Sequence, residues 1–343
     1  MKASVYYGKD SLVAEDRPMP TMTSGEAILE VMSVGVCPTD VKAFFLGSSS
    51  IKPPIILGHE VSGVIRDSSA HQLKAGQRVN VAADSPCLVC VTCKKGFQNL
   101  CPNMTSLGVN IDGGYSQFMK IPKDFIDKGL VYSINDDIGF DEGALMEPVA
   151  VSVHCLNLVH YDHIENAVVI GDGPNALIHL QLLKRVKKVG NVIVIGLSAE
   201  RLRMASSFGA DMTINPSNGQ SAIERLRETG VDLIDITIGN MDAMSEAKKI
   251  MGKGTSLLVF GGSIHDSALP ITMNEVHYNQ FALTGSSGTS TGNYALAANI
   301  VNSGIIDLKG LITRKFTLTE IHEAMAYSKE LKGLKCVVNP SSS

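Results

Sequence analysis

Val168-Val169-Ile170-Gly171-Asp172-Gly173-Pro174-Asn175-Ala176 is an apolar run that passes into G-x-G-x-x-A and then into a helical pattern. Glycines at such a turn let the backbone reverse tightly and approach a phosphate, and the helix N-terminus that follows attracts a pyrophosphate. The motif alone is common. Its weight comes from context, because a second apolar run at Asn191–Ile195 closes a strand, turn, helix, strand unit of about thirty residues. Further strand-like runs follow at 233–238, 256–260 and 280–284, with helical segments at 175–186 and 199–208. This alternation belongs to a doubly wound parallel sheet. Gly171, Gly173, Pro174, Asn175 and Ala176 are therefore the candidate dinucleotide contacts.

At the end of the second strand a dinucleotide fold usually places a carboxylate for the adenosine ribose. Here the residues are Ile195-Gly196-Leu197-Ser198, and no acid appears before Glu200. A 2′-phosphate would meet less repulsion there, with Ser198, Arg201 and Arg203 in place to hold it and Gly196 a further candidate cofactor contact. NADP is favoured on this ground and NAD stays possible. The competing reading makes Arg201 and Arg203 ordinary solvated helix residues.

Outward from this unit the rhythm changes. The first 150 residues carry short runs at 27–31, 61–65 and 78–81 between Gly and Pro, which suits a barrel or a partly open antiparallel domain. After about Gly285 short elements return, with a helical stretch at 294–303, a strand-like Lys335–Val338 and a serine tail, 341–343, that reads as frayed. A length of 343 residues accommodates two domains. The formal net charge of -4 gives no general attraction for nucleic acid or an anionic membrane. No stretch approaches the roughly 20 apolar residues of a membrane span. The first ten residues read as a strand and not as a signal peptide, so a cytoplasmic location is expected.

Seven cysteines are an odd count for a disulfide framework, and four crowd together as Cys87-x2-Cys90-x2-Cys93-x7-Cys101. Four thiolates at that spacing can wrap one tetrahedral ion from a single loop, the arrangement of a closed, structural zinc site. Iron–sulfur ligation is the alternative. A nucleic-acid zinc ribbon fits less well, since Lys94 and Lys95 are the only basic residues nearby. A second set is dispersed: Cys37 at the end of Val34-Gly35-Val36, the pair His59-Glu60 after Ile55-Ile56-Leu57-Gly58, and Glu147 within an apolar segment where an unpaired charge is costly. A Cys, a His and one or two Glu make an open zinc site with a position left for substrate. Cys155 and Cys336 read as small packing residues, and His154, His160, His163 and His179 have no ligand-like spacing.

Taken in order, Val34-Gly35-Val36-Cys37-Pro38-Thr39-Asp40, Leu57-Gly58-His59-Glu60, Gly76-Gln77-Arg78-Val79, the four-cysteine lobe, Gly113-Gly114-Tyr115, Glu147-Pro148 and the dinucleotide turn resemble the zinc-dependent medium-chain dehydrogenase/reductase family over essentially the whole chain. The resemblance implies a GroES-like, β-rich catalytic domain formed by 1–148 and 286–343 with a structural zinc lobe at 84–104, a Rossmann domain at 149–285, and a cleft between them. It implies two zinc ions per chain. Cys37, His59 and Glu147 become ligands of the catalytic ion, Glu60 comes near it, and Asp40 orients the ligands. Thr39 would begin a proton relay that many relatives end on a histidine, where this chain has Lys42. The implied reaction is hydride transfer between a small polyol, sugar or secondary alcohol and NAD(P). An NAD-linked threonine dehydrogenase and a zinc-free NADPH quinone reductase are the rival readings, and the implied assembly is a homodimer or homotetramer.

Overall fold

The computed structural model describes residues 1–263 and 268–341, so the serine tail beyond 341 lies outside the described residues. The chain divides into two compact units, one built from Met1–Ala150, Ser290–Gly304 and the chain from Leu308 onward, the other from Val151–Thr289 and Ile305–Asp307.

Six strands form the sheet of the second unit: Asn166–Ile170, Asn191–Ile195, Met212–Ile214, Leu233–Ile236, Ser256–Val259 and Ala282–Gly285. All pair in parallel, and the spatial order is 212–214, 191–195, 166–170, 233–236, 256–259, 282–285. This is the 3-2-1-4-5-6 order of a dinucleotide-binding fold. The strand 212–214 escapes sequence reading because it has only three residues, one of them a threonine. Val168, Val169, Val192, Val194, Leu233 and Ile234 are fully buried, as expected of central strands covered on both faces. At the turn after strand 166–170, Gly171 has φ +126°, and a Cβ there would collide with Oγ1 of Thr237. That hydroxyl donates to the Ile170 carbonyl at 2.9 Å and ties the strand end to its neighbour. Helix Pro174–Arg185 starts directly behind, with Gly173 as N-cap and proline at its first position.

The first unit is organised around a seven-stranded mixed sheet. Its centre is Ala27–Gly35, paired antiparallel with Glu60–Ser68 on one side and with Lys335–Val338 on the other. The register sets Gly35 opposite both Glu60 and Val337. The end of one strand thereby gathers the residues leading to Cys37, the start of Glu60–Ser68 and strand Lys335–Val338, the last of which begins 275 positions after Glu60. The chemistry of this unit is concentrated at that strand end.

Candidate functional site

Cys37 is the N-cap of helix Pro38–Leu46. Proline at the first helical position and Asp40 in the first turn make this a sharp, well-marked helix start. The Asp40 carboxylate accepts from the Cys37 backbone N–H at 3.4 Å and from the Tyr115 hydroxyl at 3.0 Å, and its other oxygen stands 3.6 Å from Nδ1 of His59. The Cys37 thiol reaches the same imidazole by hydrogen bond. His59 thus lies between a thiol and a carboxylate. Burial lowers its pKa, but Asp40 and Cys37 outweigh burial and the ring titrates well above the ordinary histidine range.

His59 is held there by backbone. Gly58 has φ +92°, and the segment 113–115 docks on it: Gly113 N–H donates to Ile56 O at 2.7 Å, Gly114 N–H to Gly58 O at 2.8 Å and Tyr115 N–H to Leu57 O at 3.1 Å. A Cβ on Gly113 would collide with the Gly58 carbonyl, which explains the paired glycines by close approach of two backbones. Gly35 has a related role, because a Cβ there would occupy the place of the Glu60 carboxyl.

Glu60 is directed to a partner that sequence reading missed. Its Oε1 accepts from Nζ of Lys335 at 2.6 Å, and the same ammonium donates to Val36 O at 3.0 Å. Lys335 and Glu60 are both buried, 275 residues apart. They are joined because strand 27–35 pairs with both 60–68 and 335–338. Among the described residues the other oxygen of Glu60 has no hydrogen-bond partner. Glu147 is buried in helix Met146–Leu156 within electrostatic reach of His59, Glu60 and Lys335. Burial pushes its carboxyl up to about 8, against the pull of His59 and with the repulsion of Glu60. Thr39 and Lys42 are exposed on the helix after Cys37. The structure brings the Cys37 thiol and the His59 imidazole together, but among the described residues neither Glu147 nor Glu60 closes with them a set of three ligand atoms within 4.8 Å of one another. A thiol, an imidazole and a carboxyl are nonetheless the donor types that a borderline-soft divalent cation suits. The Asp40–His59 contact is the usual outer support of such an imidazole ligand.

The four-cysteine lobe is built by two short strands, Asp84–Ser85 and Thr105–Ser106, and the one-turn helix Val91–Lys94. Its four sulfurs lie within 4.8 Å of one another, with Cys101–Cys87 at 3.4 Å and Cys90–Cys101 at 3.9 Å. Sulfurs sharing a tetrahedral zinc stand about 3.8 Å apart. Backbone N–H groups of Val89 and Cys90 lower the Cys87 thiol to about 6, while burial and the neighbouring thiols raise Cys93 to about 12. Four such thiols cannot all ionise without a cation among them, so the donors fit a closed zinc site.

At the dinucleotide turn the structure alters one reading. The ground for favouring NADP was that no acid stands at the end of the second strand. Asp172, from within the glycine turn, fills that place: its Oδ2 accepts from the backbone N–H groups of Leu197 and Ser198, each at 2.8 Å, and its Oδ1 lies 3.5 Å from the Arg201 guanidinium. Arg201 is buried against this carboxylate, Ser198 caps helix Ala199–Ser207, and Arg203 is exposed. The strand end that reads as empty along the chain is occupied in space.

A further trio joins Cys155 and His179, which read in the sequence as a packing residue and a histidine without ligand-like spacing, to Asp235, which the sequence does not single out. Cys155, His179 and Asp235 are fully buried within 4.8 Å of one another, and His179 Nδ1 meets Asp235 Oδ2 at 2.6 Å. Two ligands of one tetrahedral zinc would stand about 3.3 Å apart, so the direct contact closes the gap an ion would need. His179, on helix 174–185, and Asp235, on strand 233–236, form a buried polar pair between sheet and helix, with the Cys155 thiol beside it. Asp235→Ala is expected to cost about 3 to 5 kcal/mol in urea unfolding, because it leaves the imidazole without its partner.

Comparison with known proteins now identifies the class. Residues 23–130 match the alcohol dehydrogenase GroES-like domain and residues 176–303 the zinc-binding dehydrogenase domain. The chain is 30% identical to sorbitol dehydrogenase of Bacillus subtilis, with 99% of this chain and 98% of the relative covered. It is also 30% identical to a probable D-xylulose reductase A of Aspergillus fumigatus, covering 94% and 92%. A zinc-binding dehydrogenase of Sinorhizobium meliloti, solved with NADP, superposes with a TM-score of 0.90 at 22% identity over 99% of both chains. The chain belongs to the zinc-dependent medium-chain dehydrogenase/reductase family. It is an NAD(P)-dependent oxidoreductase acting on CH–OH groups, with a GroES-like domain and a Rossmann domain.

Proposed function

We propose that this protein is a zinc-dependent polyol or sugar dehydrogenase acting in the cytoplasm, with Cys37, His59 and Glu147 holding the catalytic ion and the four-cysteine lobe a second, structural one. Residues 1–148 and 286–343 form its catalytic domain and 149–285 its cofactor domain. The observation that carries the reading is the convergence of Cys37 and His59 at one strand end, with Asp40 behind the imidazole. The buried Glu147 lies close by in electrostatic terms. The names of the two curated relatives support the substrate class.

Zinc, when bound, acts as a Lewis acid that lowers the pKa of a substrate hydroxyl and favours hydride departure from its carbon. The chain's residues prepare that step. Asp40 fixes the His59 ring, and Lys335 holds one oxygen of Glu60 while the other is packed against Gly35 without a hydrogen bond. Thr39, on the first turn after Cys37, takes the substrate proton into the relay, and Lys42 stands where that relay would reach solvent. The glycine turn seats the dinucleotide at the start of helix 174–185.

The test is a screen for NAD+ and NADP+ reduction across polyols, aldoses, secondary alcohols and threonine, alongside metal analysis. Turnover greatest on a polyol or sugar, with about two zinc ions per chain, is expected. Highest activity on threonine, or activity on quinones without zinc, would overturn the reading.

We also propose a homo-oligomer. Strand 282–285 is the outer strand of its sheet and is largely exposed, with Leu283 upon it and Met273 and Tyr278 of helix Met273–Asn279 exposed at 88% and 73%. An open apolar edge of this kind is a template for pairing with a second copy. Light scattering after size exclusion is expected to give a dimer or tetramer, and Leu283→Lys a smaller species. A monomeric wild type would refute this.

A further inference from the structure

We infer that Asp172 selects the dinucleotide, so that this chain takes NAD(H) in preference to NADP(H). The inference rests on the NAD(P) dependence of the family and is independent of which alcohol is oxidised.

An acid at the second position of a glycine turn is a liability if it faces the pyrophosphate that the turn exists to bind. Asp172 avoids this by directing its side chain sideways, to the carboxyl end of strand 191–195. There it meets an anion site made by the chain: two backbone N–H groups, from Leu197 and Ser198, at the entrance to helix 199–207, with the Arg201 guanidinium beside them. These are the donors that would otherwise receive a 2′-phosphate. The carboxylate is largely shielded, with 15% of its side chain exposed against 11% for Arg201.

Gly196 makes the arrangement possible. A Cβ at that position would lie 2.6 Å from the Cβ of Asp172 and 2.7 Å from its Oδ2. The space a side chain would take at Gly196 is occupied by this carboxylate. An ionised carboxyl has about four acceptor directions. Two N–H groups use one oxygen, so the other retains capacity for ribose hydroxyls, the interaction that a strand-end acid supplies in NAD-linked folds. A 2′-phosphate carries between one and two negative charges. It would face a like charge at contact, with the donors already engaged.

The experiment measures nucleotide binding without any alcohol, by calorimetry on the purified protein. NAD+ and NADP+ are compared, together with the fragments AMP and 2′-AMP, for wild type, Asp172→Asn and Asp172→Ala. Wild type is expected to bind NAD+ about 30-fold or more tighter than NADP+, and AMP tighter than 2′-AMP. Asp172→Asn keeps an acceptor for the Leu197 and Ser198 N–H groups but removes the charge, and should lower the NAD+/NADP+ ratio about tenfold or more, mainly by tightening NADP+. Thermal unfolding of each variant separates this from misfolding. A wild type that prefers NADP+, or a ratio that stays within about twofold in well-folded Asp172→Asn, would overturn the inference. Failure of the polyol screen would leave these binding ratios unaffected, so the two proposals fall separately.

Discussion

Cys37→Ala and His59→Ala are each expected to reduce kcat by at least about 10³-fold on the best alcohol, while the dissociation constant for the dinucleotide changes by less than about threefold. The reason is spatial. Both side chains belong to the first unit, at the strand end where Gly35, Glu60 and Lys335 also meet, whereas the glycine turn belongs to the second. With Cys37 and His59 as the proposed ligands, removal of the thiol or the imidazole would take away an ion ligand and leave the nucleotide turn, its helix and Asp172 unchanged. Metal analysis is the second readout, with the zinc content expected to fall by about one ion per chain. Parallel loss of nucleotide binding would show that Cys37 supports the fold and not the chemistry. Asp40→Asn is the milder companion. It keeps the shape but weakens the support of His59, for which a loss of about 10- to 100-fold is expected.

The other large effect concerns stability. Replacing Cys101 by serine is expected to remove the structural ion and unfold the lobe 84–104, giving insoluble protein or a midpoint lowered by about 10 °C or more. The lobe has little regular structure or apolar packing of its own: two strands of two residues, one α-turn, one 3-10 turn at Gln98–Leu100 that accepts hydrogen bonds from Thr291, and exposed Leu88, Val89, Val91, Phe97 and Leu100. Segments this small rarely keep a shape without a metal or a disulfide, and all seven cysteines are free. A chelator at high excess should reproduce the loss in the wild type and zinc should restore it. A Cys101→Ser protein that melts like the wild type would show that the lobe stands on its own packing.

Much of this protein is written locally along the chain. The strands 78–81, 191–195 and 335–338 and the helices that start near 174 and 199 are legible because apolar periodicity, glycine turns and proline at a helix start are short-range signals. The four-cysteine lobe is legible for the same reason, since all its donors fall within fifteen residues. Glycines 35, 113 and 196 can be seen in the sequence, but what each makes room for, namely the Glu60 carboxyl, the Gly58 carbonyl and the Asp172 side chain, is supplied by a distant or laterally placed segment.

By itself the sequence determined the class of the two folds, the four-cysteine cluster and the glycine turn, because these depend on residue type and on spacing within a few turns of chain. Tertiary structure alone decided that Lys335 pairs with Glu60, that His179 and Asp235 form a buried pair, and that a carboxylate stands where the second strand ends. Strand register and side-chain direction bring those groups together, and neither is encoded by position along the chain: a side chain one residue past a glycine can serve a strand twenty residues later.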